Sequence, residues 1–269
     1  LVGAVLAWRE AQAFRPLPFL AALASALAIQ IGTNLLNDAS DGETGLDRPD
    51  RLGPPRVTAQ GWASAAEVRR AAIFAFFVAA VAGLYCIQAG GAPILAIGIA
   101  SLGAGWAYSR GPAPISASAA GEVFVLVFFG CAAVSGTAWL MSLAPSLAAL
   151  PAGVLIGLPS AAVLLVNNHR DRDADARAGR RTLAIVLGVA RTRRLYRLLL
   201  VVAALLGPAV GLALGTGWPA LTVLALPVAL RLSTEMATEP IGQGLNGLLG
   251  RTAGYQIVLA ALLCLGLGL

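Results

Sequence analysis

Two stretches of this 269-residue chain gather acids, amides and arginines at close quarters. The first, NLLNDASDGETGLDRPDRLGPPR (34–56), holds five acids and three arginines in 23 residues. The second is NNHRDRDADARAGRRT (167–182). Asn34, Asp38 and Asp41 stand at i, i+4, i+7, and Asn167, Asp171 and Asp175 at i, i+4, i+8. Either spacing puts its three side chains on one face of a helix. Carboxylates crowded in this way repel one another unless a cation sits among them. Asp38 and Asp41 group with Asp47, and Asp171 with Asp175. Hard oxygen donors suit Mg²⁺, which keeps several waters and takes a few carboxylates together with substrate phosphates. Two such clusters facing each other would hold a diphosphate through bridging magnesium ions. Arg48, Arg51, Arg56, Arg180 and Arg181 would then bind the remaining phosphate oxygens.

A second reading is a pair of solvated loops whose arginines only set topology. It accounts for the arginines and leaves nine acids unexplained: Asp38, Asp41, Glu43, Asp47, Asp50, Glu67, Asp171, Asp173 and Asp175. Nor does it explain asparagines one turn deeper, in apolar helices, where polar groups need a reason.

The elements that carry these clusters follow from composition. The chain is 58% hydrophobic and 12% charged, with a mean hydropathy of +0.79. A soluble domain carries about 25% charged residues. Residues 16–37, 71–109, 123–169, 198–230 and 252–269 hold no formal charge. Each run is as long as one or two membrane crossings of roughly 20 residues. The chain is therefore read as all-α and polytopic, one unit over 1–269 in the lipid bilayer. Gly/Pro breaks at 90–93, 144–146 and 215–219 divide the longer runs. The helices expected are 1–9, 17–38, 65–89, 93–109, 120–141, 147–169, 194–214, 218–236 and 251–269. The first, opening at Leu1 inside an apolar run, is expected to be a truncated remnant. Because apolar segments continue to the C-terminus, a signal peptide does not account for the hydropathy.

All 19 basic residues are arginine. With 38–64 on the inside, strict alternation leaves only Arg9 and Arg15 outside and 17 arginines inside. This obeys the positive-inside rule and puts both acidic clusters on the cytoplasmic face. The net charge of +6 thus reports topology, and nucleic acid is not an expected partner. Cys86, Cys131 and Cys264 lie far apart in apolar runs and make no metal or disulfide pattern. The five tryptophans read as interface anchors.

The two clusters resemble the paired aspartate-rich motifs of the UbiA superfamily of intramembrane prenyltransferases. The first motif runs over 34–61 and the second over 167–188. GEVFVLVFFG (121–130) and LNGLLGRTAGYQ (245–256) are similar to segments of the branch that uses 1,4-dihydroxy-2-naphthoate, as is the long spacing to Asp47. The resemblance covers essentially the whole chain. It implies nine transmembrane helices around a central cavity capped by cytoplasmic loops, in a plasma or inner membrane. It also implies transfer of a polyprenyl group from its diphosphate to 1,4-dihydroxy-2-naphthoate, with loss of diphosphate and CO₂. Asp38, Asp41, Asp171 and Asp175 would be the catalytic acids. With Asn34, Asp47 and Asn167 they would hold Mg²⁺. The stretch 116–120 departs from the family, which has a tyrosine or lysine there, and Arg110 would supply the positive charge. Asn37, Gln60, Tyr108, Asn168 and His169 are candidate substrate contacts, and Glu122 is read as an acid at a helix start.

Two alternatives remain at this level. A superfamily member with another acceptor (hydroxybenzoate, homogentisate or a lipid-pathway acceptor) shares the motifs. A secondary transporter would place its charges near the bilayer midplane on broken helices, whereas these charges gather at one face. A soluble isoprenyl synthase is excluded by composition.

Overall fold

The computed structural model describes residues 1–43, 52–109 and 114–269. All its elements are helical, with no strand among the described residues. They are α1 (Val2–Ala11), α2 (Pro16–Glu43), α3 (Ala65–Gly90), α4 (Ala92–Ser109), α5 (Gly121–Ser142), α6 (Ala149–Arg177), α7 (Leu183–Leu214), α8 (Trp218–Thr238) and α9 (Leu245–Gly268). The last eight are long and apolar enough to cross a membrane. The fold is that of a multi-pass membrane protein, as the hydropathy required. Large side chains such as Leu20, Leu23, Leu27 and Ile31 on α2, and Phe74, Phe77, Val81 and Leu84 on α3, are exposed. Apolar patches of that extent belong against lipid.

Local chemistry sets several of the ends. Ser64 and Glu67 form a capping box at the start of α3: Glu67 Oε2 accepts from the Ser64 backbone N–H at 2.8 Å. At the far end of the bundle, Arg15 donates to the Ala89 and Leu140 carbonyls at 2.9 and 3.0 Å, tying the last turns of α3 and α5 together. Gly188, at φ 71°, puts a kink near the start of α7 that a side chain would resist.

Four boundaries differ from the expected ones. α2 runs on to Glu43 and α6 to Arg177, so Asp38, Asp41, Glu43, Asp171, Asp173 and Asp175 lie on helix and not in loops. α7 starts at Leu183 and α9 at Leu245, where 194 and 251 were expected. For α2, α6 and α7 the expected ends lie at the first charges; arginine is a good helix former, and the aspartates, poorer ones, find partners there that hold them on helix. The extra turn of α9, LNGLLG, carries no charge.

α6 is the axis of the fold. It is buried over 72% of its apolar stretch, against 17–33% for the other long helices. It packs on α5, α7 and α9. Against α5 the contact is glycine on glycine. Gly153 and Gly157, one turn apart on α6, meet Gly130 and Leu126, and a Cβ on Gly157 would stand 2.6 Å from the Leu126 carbonyl oxygen. Small residues at this spacing let helix backbones approach closely in a membrane. The facing part of α5, Leu126–Ala132, is wound as a π-helix. α9 is pinned to α7 by the Tyr196 and Thr252 hydroxyls at 2.6 Å and by Tyr255 donating to the Leu200 carbonyl at 2.8 Å.

Candidate active site

α2 and α6 deliver the two acidic motifs to the same end of the bundle. On α2, Asp38 and Asp41 are buried, at 6% and 4% exposure. Asp38 faces the chain that returns toward α3. Its carboxylate accepts the backbone N–H groups of Val57 and Thr58 at 2.9 and 3.2 Å, and the Thr58 hydroxyl at 2.5 Å. Gly42 makes room for this docking, since a Cβ there would stand 2.7 Å from Thr58 Oγ1. Asp38 thus anchors the loop that carries Arg56. Arg56 in turn donates to Asp41 Oδ2 at 3.2 Å.

On α6 the organising residue is Arg170, with 2% of its surface exposed. Its guanidinium grips Asp171 with two bonds of 2.8 and 2.6 Å, reaches Asn167 Oδ1 at 2.8 Å, and reaches Asn246 Oδ1 on α9 at 2.7 Å. Asn246 also donates to the Leu52 carbonyl at 2.8 Å, so it holds the first loop against the second motif. A buried arginine is tolerable only with its donors satisfied in this manner.

The motifs meet at Arg180. Gly179, at φ 74°, turns the chain back after α6 in the left-handed conformation typical of a helix C-terminus. The Arg180 backbone N–H bonds the Asp175 carbonyl at 2.9 Å, and its side chain comes to lie between the two helices. It donates to Asp41 Oδ1 at 2.5 Å and to Asp175 Oδ1 at 3.3 Å. Burial works against its charge. The Asp41 and Asp175 carboxylates outweigh burial and raise the guanidinium's pKa above its ordinary value. The structure therefore places a cation between one carboxylate from each motif.

Among the described residues no three acids, histidines or cysteines crowd closely enough to cage a metal by themselves. The donors are nonetheless those Mg²⁺ takes, a few carboxylates and amide oxygens, which it supplements with substrate phosphate. Asp41 and Asp175, already bracketing a positive charge, fit it best. Asp171 and Asn167 stand beside them in the grip of Arg170.

The other expected residues divide. Asp47, Arg48, Arg51 and Arg110 lie outside the described residues. Asn34 is exposed, one turn before Asp38 on α2. Asn37 accepts from the Ser109 hydroxyl at 3.4 Å. Gln60 and Arg181 are exposed, and Arg181 joins the site through its backbone, donating to the Ala117 carbonyl at 2.8 Å. Tyr108 is half-buried, with its ring 6.4 Å from that of Phe124. Asn168 donates to Glu122 Oε1 at 2.9 Å. His169 does not join the acids. It stands two residues beyond Asn167, about 200° around α6, fully buried, with neither ring nitrogen bonded to any described residue. Thr58, Arg170 and Asn246 were not singled out from the sequence. Arg170 reads as one more topological charge, and Thr58 and Asn246 lie inside stretches that resemble the family's without a residue-level signal of their own.

The fold and this site define a multi-pass helical membrane protein with paired acidic motifs joined at one end of the bundle. The chain belongs to the UbiA prenyltransferase family, whose model matches residues 1–238, as the motifs led us to expect. It is 40% identical over 228 residues to the 1,4-dihydroxy-2-naphthoate octaprenyltransferase of Mycobacterium tuberculosis, covering 85% of this chain and 75% of that protein. It is 34% identical over 281 residues to the Escherichia coli protein of the same name, covering 99% and 89%. Among solved structures it is similar to a UbiA homolog from Aeropyrum pernix K1 (TM-score 0.72, 16% identity, covering 97% and 92%). It is also similar to one from Archaeoglobus fulgidus bound to DMAPP and Mg²⁺ (TM-score 0.66, 14% identity, covering 100% and 96%). At such identities the structural likeness speaks for the fold.

Proposed function

We propose that this chain transfers a polyprenyl group from an allylic polyprenyl diphosphate to 1,4-dihydroxy-2-naphthoate, releasing diphosphate and CO₂ and giving demethylmenaquinol, the two-electron-reduced form of demethylmenaquinone. The observation that carries this reading is the meeting of Asp41 and Asp175 across Arg180. It unites both motifs around one charge, in a chain whose relatives bear the naphthoate name. The distribution of 17 of the 19 arginines supports a site on the cytoplasmic face of the cell membrane.

In this reading Asp41, Asp175, Asp38, Asp171, Asn34 and Asn167 are the groups that would hold Mg²⁺. The metal, when bound, supplies charge that stabilises a departing diphosphate. Arg180 and Arg56, now paired with carboxylates, are placed to turn to phosphate oxygens when substrate enters. A guanidinium can do so bidentately without deprotonating. The allylic C–O bond breaks with its electron pair leaving on the diphosphate. The electron-rich ring carbon that bears the carboxylate attacks the allylic carbon, and the carboxylate departs as CO₂, its bonding pair returning to the ring. Arg170 and Asn246 keep Asp171 and Asn167 in place throughout, and the lipid-embedded bundle keeps water from the allylic cation.

The test is prenyl transfer by purified protein in detergent, with 1,4-dihydroxy-2-naphthoate, a long prenyl diphosphate and Mg²⁺, against an EDTA control. Metal-dependent CO₂ release with a prenylated naphthoquinol product, read as the quinone after oxidation in air, is the expected result. Product formed only with another phenolic acid would move the chain to a sister branch. Full activity in EDTA would overturn the metal reading.

A further inference from the structure

Among the described residues, Glu122 is the one buried acid that the diphosphate chemistry does not use. It lies in the first turn of α5, at the same end of the bundle as the acidic motifs, and is 4% exposed. One oxygen, Oε1, accepts from Asn168 at 2.9 Å. The other, Oε2, is fully buried and has no hydrogen-bond partner among the described residues. A half-satisfied carboxylate in an apolar surround costs stability, and an acid inside a membrane bundle is retained for what it binds.

The surroundings narrow what that is. Asn168 follows Asn167 directly on α6, so of two neighbouring amides one meets Arg170, which grips Asp171, and the next meets Glu122. Tyr108, on the last turn of α4, packs beside the same turn of α5 through Phe124, two residues from Glu122. The Tyr108 ring stands 6.4 Å from Phe124, and Phe124 stands 4.5 Å from Phe128. A free carboxylate oxygen calls for a ligand with a donor. The diphosphate is all acceptor and negatively charged, so it is repelled here. The aromatic rings favour a flat π-system.

We propose that Glu122, oriented by Asn168, binds a ring hydroxyl of the aromatic acceptor, with Tyr108 and Phe124 flanking the ring. The inference rests on the prenyl-transfer reading and deepens it. Glu122 Oε2 accepts the hydroxyl's hydrogen bond and fixes which edge of the ring faces the allylic carbon. It is a binding and specificity residue, and no covalent bond forms to it. A site built to accept a hydroxyl rejects the analogue that lacks it, because the buried oxygen is then left unpaired.

The test compares the wild type with Glu122→Gln and Glu122→Ala. KM is measured separately for 1,4-dihydroxy-2-naphthoate and for the prenyl diphosphate, together with the preference for the dihydroxy acceptor over 1-hydroxy-2-naphthoate and 4-hydroxy-2-naphthoate. The expected result is a rise of about tenfold or more in the acceptor KM, as for the loss of one charged hydrogen bond. The KM for the diphosphate should stay within about twofold, and the variants should no longer prefer the dihydroxy acceptor to one of the two analogues. An equal rise in both KM values, or an unchanged preference, overturns the proposal while leaving prenyl transfer standing. A wild type that does not prenylate the naphthoate counts against the activity instead. Calorimetric titration with 1,4-dihydroxy-2-naphthoate alone then decides the subsite. Binding weakened about tenfold or more by Glu122→Gln supports it, and equal or absent binding in both proteins overturns it.

Discussion

Arg180 bonds Asp41 at 2.5 Å across 139 residues of sequence. It is the contact through which the second motif reaches the first. Because the same guanidinium holds Asp175, its removal leaves two buried carboxylates with one cation fewer between them. Arg180→Ala is expected to lower kcat by about 100-fold, the scale of losing a donor aimed at developing negative charge, and to raise the KM for prenyl diphosphate. Arg180→Lys, which keeps the charge and loses the fork, should fall between. Steady-state kinetics with the prenyl diphosphate varied gives the answer, and near-normal kinetics in Arg180→Ala would remove the residue from the site.

Arg170 holds a different place. It touches Asp171, Asn167 and Asn246 while itself buried. Arg170→Ala is expected to destabilise the protein by about 3–5 kcal/mol, the cost of breaking a buried charge pair from one side. Arg170→Lys should recover little, because an ammonium cannot span the three partners. Asn246→Ala should cost less, about 1–3 kcal/mol, as for an unpaired buried donor or acceptor. Thermal unfolding in detergent would rank the three, and the reverse order would mean that Asn246, not Arg170, holds the network.

Asp38 and Thr58 are separable by experiment. Asp38→Asn keeps an acceptor for the loop but loses the charge, whereas Thr58→Val keeps the carboxylate and loses one hydrogen bond. The first should abolish turnover while the protein still folds. The second should lower stability by about 1 kcal/mol with activity retained. If both variants stay active, Asp38 is only a loop anchor.

How legible was this from sequence? The motifs were, because charge in an apolar chain stands out, and so was the number of spans. The helix ends were not: Asp41 and Asp175 lie on helices expected to stop before them, and Arg191 and Arg193 on one expected to start after them. The pairing of each acid was invisible: spacing put Asp38 and Asp41 on one face, yet one binds the Val57–Thr58 backbone and the other two arginines. His169 was placed with the substrate contacts on its neighbours alone. Counting 100° per residue from Asn167 separates it from the acids of α6. Asn246 stands 76 residues from Arg170, and no local pattern could have joined them.

The glycine contact between α5 and α6 offers a packing experiment. Gly157→Leu must push apart backbones already in van der Waals contact. Overpacking a tight site costs about 1–3 kcal/mol or more. Because Gly157 lies about three turns before Asn168 on α6, the variant should lose acceptor affinity as well as stability. A stable, fully active Gly157→Leu would show that the two helices can separate without consequence.

The π-wound stretch of α5, Leu126–Ala132, works as a phase shifter. A wide turn holds one residue more than an α-turn would, so everything on its N-terminal side is rotated about 100° relative to everything beyond it. That rotation lets the glycine at 130 lie flat on α6 while Glu122, two turns earlier, still faces Asn168. Deleting a single residue within 126–132 would therefore act like a twist on a key. The helix would regularise, its seat on α6 would survive, and the carboxylate at its tip would swing out of register with the amide that orients it.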